Sequence, residues 1–225
     1  MPFMAHFKGT QVLQIMERTG LVPVFYHADA DVCRGVLEAC YRGGIRAFEF
    51  TNRGDFAHET FGQLVRHVRQ SLPEMAIGVG TVMEPGTASL YMQLGADFVI
   101  SPVLNADIFK VCNRRKVLHV PGCATLSEIS QAEEYGADVV KVFPGDVLKP
   151  AFVKALKAPM PWTNVMVTGG VEPTRESLEA WFGAGVTAVG LGSQLFRKEW
   201  LQTRSFDLLE EKVREVVEIF NGLRR

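Results

Sequence analysis

AFEFTNRGDFAHETFGQLVRHVRQSLPEMAIGVGTV, residues 47–82, predicts a buried strand, an amphipathic helix and a second buried strand. The two strands are the apolar runs 47–53 and 76–82, whose composition is typical of strands buried on both faces of a parallel sheet. Between them, in 58–72, apolar side chains share one helical face: Phe61, Leu64, Val65, Val68 and Leu72. The stretch is therefore one unit in which a helix connects two parallel strands.

The same kind of apolar run recurs along the chain. Eight candidate strands follow one another at intervals of about 24 residues: 21–26, 47–53, 76–82, 98–103, 118–123, 139–144, 164–170 and 188–193. Eight such units predict an α/β fold, a (β/α)8 TIM barrel. An open, doubly wound sheet is the alternative, but no GxGxxG motif follows the first run.

The two ends of the chain complete the predicted domain. Residues 7–18 predict an extra N-terminal helix, and we expect the segment 1–20 to cap the floor of the barrel. A last helix is predicted at 206–221, where apolar and acidic residues occupy opposite faces. No linker or low-complexity tract divides the chain, so the prediction is one domain over 1–225.

Composition narrows the classes of function. The net charge is -1, with 24 basic and 25 acidic residues, which does not favour a nucleic-acid partner. No apolar run approaches the roughly 18 residues of a membrane span, and residues 1–10 do not resemble a signal peptide. The cysteines form no CxxC pair and predict buried thiols in a reducing, cytoplasmic compartment. They are Cys33, Cys40, Cys112 and Cys123.

Polar residues end the second predicted strand, where a TIM barrel carries its chemistry. Glu49, Thr51 and Arg53 share one face of the strand, because side chains alternate along it. The intervening Phe48 and Phe50 belong against the outer helices, so the polar face is expected to point into the barrel. Inward polar groups must pair or bind a ligand. A purely structural Glu49–Arg53 ion pair is the alternative.

Lys141 lies within the apolar sixth strand, 139–144, and is the one lysine of the nine in such a setting. Burial disfavours the charged form of an amine, and the neutral amine is the nucleophile that attacks a carbonyl to form a Schiff base. A structural ion pair with Glu49 is the alternative. The same two side chains also suit a nucleophile and a proton shuttle.

Glycine-bearing turns end the last two strands, at Thr168-Gly169-Gly170 and at Gly190-Leu191-Gly192-Ser193. Barrels frequently bind phosphate at these two strand ends, where backbone N–H groups approach the anion. Each turn alone equally suits a tight connection, but their joint position favours a phosphate site. The histidines have no metal-ligand spacing, and the sequence predicts neither a metal nor a cofactor.

An ordered set of motifs makes the chain resemble the 2-keto-3-deoxy-6-phosphogluconate (KDPG) aldolases, also called 4-hydroxy-2-oxoglutarate (KHG) aldolases. The motifs are Val22-Pro23-Val24, Gly43-Gly44, Phe48-Glu49-Phe50-Thr51-x-Arg53, Gly78-x-Gly80-Thr81-Val82, Ile100-Ser101-Pro102, Pro121-Gly122-x-x-Thr125, Lys141-Val142-Phe143-Pro144, Thr168-Gly169-Gly170 and Gly192-Ser193. The chain departs from the family pattern at Val103, Val167 and Gly145. These positions line or flank the expected pocket and leave the substrate open.

The resemblance implies a role for each matching residue. Lys141 corresponds to the Schiff-base lysine and Glu49 to the acid/base glutamate of the family. The remaining residues correspond to a substrate-binding group and a phosphate-binding group. The substrate-binding group is Arg53, Thr51, Thr81, Pro102, Phe143 and Thr168; the phosphate-binding group is Gly169, Gly170, Gly192 and Ser193.

The activity that the resemblance implies is a metal-independent class I aldolase. It would cleave KDPG reversibly to pyruvate and glyceraldehyde 3-phosphate, a carbon–carbon lyase reaction of the Entner-Doudoroff pathway. The same chemistry on KHG or on 2-keto-3-deoxy-6-phosphogalactonate stays open, as does a non-catalytic barrel that binds a phosphorylated ligand. The expected partners are a small-molecule substrate and two further copies in a homotrimer, with no nucleic acid or membrane.

Overall fold

The computed structural model describes residues 5–224. Its strands are β1 Leu21–Phe25, β2 Ala47–Thr51, β3 Ala76–Gly80, β4 Phe98–Ile100, β5 Leu118–Val120, β6 Gly122–Cys123, β7 Val140–Val142, β8 Val165–Thr168 and β9 Ala188–Leu191. Its helices are α1 Gly9–Thr19, α2 Ala30–Arg42, α3 Ala57–Ser71, α4 Pro85–Leu94, α5 Ala106–Arg115, α6 Leu126–Glu134, α7 Gly145–Lys157, α8 Arg175–Gly183, α9 Lys198–Thr203 and α10 Phe206–Leu223. The expected domain 1–225 and its segment 1–20 include residues 1–4 and 225, which lie outside the described residues.

The strands form one parallel sheet in the order β5-β4-β3-β2-β1-β9-β8-β7-β6. β5 pairs with β4 and β6 pairs with β7, and Pro121 alone separates β5 from β6. These short strands are the two halves of the predicted run 118–123, interrupted where proline has no N–H to donate. The Pro121 carbonyl still accepts a hydrogen bond from the Lys141 N–H at 2.8 Å. The sheet thus closes through this segment, which confirms the predicted barrel and makes the open-sheet alternative wrong.

Apolar side chains fill the inside of the barrel and contact α1. The strand residues of this interior cluster are Val22, Ala47, Ala76, Phe98, Ile100, Leu118, Val120, Met166 and Ala188, joined by Val139 directly before β7. Val12, Ile15 and Met16 of α1 belong to the same cluster, so α1 packs beneath the interior apolar layer. The Phe98 ring takes the space that a Cβ on Gly78 would need, which explains the glycine at that inward position.

A second, larger cluster lies between the barrel and its surrounding helices. Phe48 and Phe50 are fully buried in it, on the outward face of β2, as the alternation predicts. Helix α10 packs against α2, and its buried face carries apolar residues of the predicted 206–221 helix. Over residues 5–224, no helix has the length and the apolar character that crossing a bilayer requires.

Candidate active site

At the carboxyl ends of the strands, above the apolar layer inside the barrel, the inward-facing side chains of β2 and β7 are polar. On β2 the inward positions are Ala47, Glu49 and Thr51, and the segment that enters β7 has Val139 and then Lys141. Ala47 and Val139 belong to the apolar interior, and the polar residues come two positions later, which keeps them on the inward face. Because all strands are parallel, these polar groups converge at the end of the barrel that carries TIM-barrel active sites.

Lys141 and Glu49 face each other across this end of the barrel. The Lys141 Nζ lies 3.9 Å from the Glu49 Oε1, and the two residues are 5% and 1% exposed. Burial raises the pKa of the Glu49 carboxyl above its usual range, and the positive charges of Lys141 and Arg53 partly oppose that rise. The structure therefore brings together the two residues that the sequence predicted as nucleophile and acid/base.

The second oxygen of the same carboxylate, Glu49 Oε2, is buried and has no hydrogen-bond partner among residues 5–224. A buried polar atom without a partner costs on the order of 1–3 kcal/mol, and the cost disappears when a ligand or a water donates to it. The carboxylate occupies space that a Cβ on Gly80 would fill. Any larger residue at position 80 would displace the Glu49 carboxylate, so this position needs a glycine. On the lysine side, the Phe143 ring centroid lies 5.1 Å from Nζ.

Arg53 differs from the sequence expectation. The strand ends at Thr51, and Arg53 lies beyond it, exposed rather than on a buried inward face. Its Nε donates a long, 3.5 Å hydrogen bond to the Thr81 Oγ1. No ion pair within 4.0 Å joins Arg53 to Glu49 in the described structure, so the structural ion pair considered as an alternative does not form. Arg53 lies at the rim, free to meet a ligand from solvent.

Thr51 and Thr81 lie on neighbouring strand ends. Thr51 is buried and lies in register with Gly80 of β3, one residue before Thr81. Thr81 has a φ of 61°, a left-handed conformation that is unfavourable for a β-branched residue. Such strain is concentrated at functional sites, where the surrounding structure maintains it. Thr81 and Arg53 together border the Glu49 side of the mouth.

Pro102 lies in the loop that follows β4, the strand next to β3. Its backbone fills the space that a Cβ on Gly122 would take. Gly122 is the register partner of Lys141. The loop that carries Pro102 is therefore packed against the strand that borders the lysine.

The predicted phosphate turns lie at the ends of β8 and β9. The Thr168 Oγ1 is buried without a hydrogen-bond partner in the described chain, and it lies over Gly190, its register partner. Gly169 and Gly170 have φ values of 93° and 66°, which favour glycine. A Cβ added at Gly192 would meet no described heavy atom within 4 Å, and Ser193 is exposed beside it. This side of the mouth thus offers open space beside an unpaired hydroxyl.

Asp146 is a residue that the sequence reasoning missed. It belongs to the first turn of α7, and its Oδ1 lies 3.1 Å from the position that a Cβ on Gly169 would occupy. Its signal in the sequence is its place five residues after Lys141, at the carboxyl end of β7. A carboxylate beside a proposed phosphate turn is electrostatically unfavourable for a phosphate bound close to Gly169. The open side near Gly192 is the better-suited position.

Two further observations concern His27 and groups that could bind a metal. His27 Nδ1 accepts a hydrogen bond from the Asp29 N–H at 3.0 Å, at the start of α2. Within residues 5–224 there is no group of three or more His, Cys, Asp or Glu residues arranged to hold a metal ion.

Comparisons with known proteins find related sequences and structures. A family model described as "Aldolase: KDPG and KHG aldolase" matches residues 12–212. The 2-dehydro-3-deoxy-6-phosphogalactonate aldolase of Escherichia coli K12 is 36% identical over 122 residues, 54% of this chain and 58% of that protein. The 2-dehydro-3-deoxy-phosphogluconate aldolase of Haemophilus influenzae is 29% identical over 212 residues, 93% of this chain and 96% of that protein. A solved structure of the KDPG aldolase of Legionella pneumophila, with pyruvate captured at low pH as a covalent carbinolamine intermediate, is also similar to this chain. The two structures have a TM-score of 0.82 and 25% sequence identity, and the match covers 91% of this chain and 97% of that chain.

Proposed function

The chain belongs to the KDPG and KHG aldolase family, and from this premise we propose that it is a Schiff-base aldolase that cleaves KDPG reversibly to pyruvate and glyceraldehyde 3-phosphate. The single observation that carries the proposal is the buried pair of Lys141 and Glu49 at the carboxyl end of the barrel, with one carboxylate oxygen left unpaired. The pair supplies a nucleophilic amine and a group that accepts and returns protons within reach of the same substrate carbon chain.

In the proposed reaction, the neutral Nζ of Lys141 adds to the C2 carbonyl. A proton supplied by Glu49, directly or through one water, lets the C2 oxygen leave as water and gives a protonated imine. The imine withdraws electrons from the C3–C4 bond while Glu49, directly or through one water, accepts the proton of the C4 hydroxyl. The bond breaks, releasing glyceraldehyde 3-phosphate and leaving an enamine on Lys141. Glu49 returns the proton to C3, and hydrolysis of the pyruvate imine frees the lysine.

The other site residues position the substrate in this proposal. Arg53 at the rim pairs with the substrate carboxylate, while Thr51, Thr81, Pro102 and Phe143 border the pyruvyl portion. Thr168 contributes its unpaired hydroxyl. The turn of Gly192-Ser193 binds the phosphate through N–H groups and the Ser193 hydroxyl, and the Gly169-Gly170 turn borders the same space on the Asp146 side. Holding both ends of the substrate places its reacting carbons beside Lys141 and Glu49.

A second substrate has specific support. The 36% identity to a relative named for the galactonate epimer extends over about half of this chain, so 2-keto-3-deoxy-6-phosphogalactonate is the second candidate. KHG is the third, because the family model covers both activities. A barrel that only binds its ligand would have no need for a buried lysine aimed at a buried carboxylate.

The proposal is tested by reducing the protein with borohydride in the presence of pyruvate and locating the adduct by mass spectrometry. We expect one pyruvyl modification, on Lys141, and complete loss of turnover in Lys141→Ala. Lys154→Ala, which removes a lysine of α7 well outside the barrel interior, is the matched control. Modification at another lysine, or none, refutes the assignment. Cleavage rates on KDPG, its galactonate epimer and KHG then rank the three substrates.

We further propose a cytoplasmic homotrimer. The four cysteines, which are free and buried in the described structure, support a reducing compartment. Exposed apolar side chains in loops and first helical turns after the strands support an assembly of copies: Phe56, Met83, Val103, Leu126 and Val147. Sedimentation equilibrium tests the assembly, and a mass of one 24.9 kDa chain refutes it.

A further inference from the structure

The loop that follows β4 is fixed by a side chain of its own first residue. The Ser101 Oγ donates a hydrogen bond of 2.7 Å to the Val103 carbonyl, which closes a tight turn around Pro102. The Ser101 N–H donates to the Val120 carbonyl at 3.1 Å, which ties the same residue to β5. Ser101 is completely buried, so water does not compete for either bond. The shape of the turn therefore depends on the orientation of one hydroxyl.

His119 of β5 determines that orientation. Its Nε2 lies 2.9 Å from the Ser101 Oγ. Because the hydroxyl has a single hydrogen, which it donates to Val103, the bond from the histidine requires a proton on Nε2. This assigns the tautomer and leaves Nδ1 as an acceptor, and Nδ1 is buried without a partner among the described residues. His119 thus donates to a hydroxyl that donates onward to the loop.

The surroundings of His119 keep it in this state. Its ring lies on the outer face of β5, and the Phe109 ring of α5 packs edge-on against it at 4.4 Å between centroids. Burial lowers the pKa of His119 to about 3, so the ring is neutral throughout the neutral range of pH. A neutral imidazole with a fixed tautomer is a constant donor rather than a switch.

The turn that these two residues hold is the one that borders the nucleophile, since the Pro102 backbone packs on Gly122, the register partner of Lys141. We propose that Ser101 and His119 are positioning residues of the aldolase: their two hydrogen bonds hold the Pro102 turn against β6 and so maintain the pocket in which the carbonyl of the substrate meets Lys141. This inference rests on the proposed function. Neither residue touches the reacting atoms.

Four variants test the proposal in the full-length protein. Ser101→Ala removes both hydrogen bonds, and His119→Leu removes the donor but keeps an apolar contact for Phe109. His119→Gln places an amide N–H near the position of Nε2 and should restore the bond. Cys112→Ala is the control, a change at a buried site of α5 that leaves both hydrogen bonds in place.

Two measurements are made on each variant. The first is the pyruvate concentration that gives half-maximal borohydride trapping. We expect it to rise about tenfold in His119→Leu, the effect of losing one well-formed hydrogen bond, and at least as much in Ser101→Ala, which loses two. The second is the hydrogen exchange rate of the Val103 and Leu104 amides, which should rise in the same two variants. His119→Gln and Cys112→Ala should match the wild type in both.

The outcomes separate this proposal from the proposed function. Wild-type trapping and exchange in Ser101→Ala and His119→Leu overturn the positioning role. The same holds if Cys112→Ala changes both measurements as strongly, because the effect would then follow stability alone. If the wild type is not trapped at Lys141, the proposed function fails, and the exchange rates alone decide whether the two residues hold the turn.

Discussion

The Glu49 carboxylate uses one oxygen to approach the Lys141 Nζ, at 3.9 Å, and leaves its other oxygen buried without a partner among the described residues. The unpaired oxygen lies on the inward face of the barrel mouth, where a substrate hydroxyl or a bridging water can donate to it. An ion pair that served stability alone would pair both oxygens, since a half-satisfied buried carboxylate is costly. The incomplete pairing leaves an acceptor for the proton transfer proposed for Glu49.

The first prediction concerns the pH dependence of cleavage. Burial raises the pKa of Glu49 above the ordinary glutamate value of about 4.3. The base must be deprotonated to accept the C4 hydroxyl proton, so kcat/KM should fall as the pH drops through this raised pKa. The acid limb should therefore lie at a higher pH than an ordinary glutamate would give.

Glu49→Gln should lower kcat by about 10²- to 10⁴-fold and remove that acid limb. Glu59→Gln, a change at an exposed position in the first turn of α3, is the control and should leave the profile intact. A Glu49→Gln protein that keeps the wild-type limb would assign the proton transfer to another group.

The second prediction concerns the space that Gly80 provides. A Cβ at this position would overlap the Glu49 carboxylate, and the backbone φ of Gly80 is not in the left-handed region. Gly80→Ala should therefore displace Glu49 without straining the backbone, and we expect kcat to fall by about tenfold or more for a displaced acid/base group. Circular dichroism should show an unchanged fold.

Gly86→Ala is the matched control, because a Cβ there meets no described heavy atom within 4 Å. It lies in the first turn of α4 and should leave activity unchanged. Equal activity in Gly80→Ala and Gly86→Ala would mean that the position of the Glu49 carboxylate is unimportant for cleavage.

The third prediction concerns the unpaired Thr168 hydroxyl. Thr168→Val replaces it by a methyl group of the same shape, so the free energy of unfolding should stay level or rise by about 1 kcal/mol, since no protein hydrogen bond is lost. The KM for the sugar acid should rise about tenfold if the hydroxyl binds substrate. Thermal unfolding and steady-state kinetics measure the two effects.

Thr163→Val should behave in the opposite way. The Thr163 Oγ1 donates to the Glu133 Oε1 at 2.6 Å, away from the barrel mouth. That variant should lose stability and keep its KM. A loss of stability in Thr168→Val with an unchanged KM would mark the hydroxyl as structural.

The fold could be predicted from sequence because its evidence is local. Each strand is a short apolar run and each helix has a periodic apolar face, so the alternation of strands and helices can be recognised within short stretches of sequence. The alternation of side chains placed Glu49 and Thr51 correctly. The alternation gave a wrong position for Arg53, because β2 ends at Thr51 and Arg53 lies beyond the strand. The last backbone hydrogen bond of this segment to β3 runs from the Asn52 N–H to the Gly80 carbonyl. Beyond the last strand residue, alternation predicts nothing.

Contacts between distant segments could not be predicted in the same way. The Ser101–His119 hydrogen bond joins residues 18 positions apart, and Asp146 meets Gly169 only because β7 and β8 are neighbours in a fixed register. Both depend on the barrel geometry, and neither has a spacing that the sequence marks. The departure at Val103 was visible in the sequence but its exposure was not, and Val167, another departure, is fully buried.

The last prediction concerns the phosphate site and decides between substrates. Gly192→Val is the sharper variant, because a Cβ there meets no described heavy atom within 4 Å. Gly170 has a φ of 66°, and a Cβ there would overlap Asp146. A valine at Gly192 should fill the proposed phosphate space without harming the fold. It should cripple kcat/KM for the phosphorylated sugar acid and leave pyruvate trapping at Lys141 intact. Gly183→Val, at an exposed and open position of α8, is the control.

The wild type should prefer the phosphorylated substrate over the same sugar acid without phosphate, by up to about 10⁴-fold, because a site built to pair a polar group rejects the analogue that lacks it. Equal wild-type efficiency on both substrates would refute a phosphate site at these turns and favour KHG, which has no phosphate to bind.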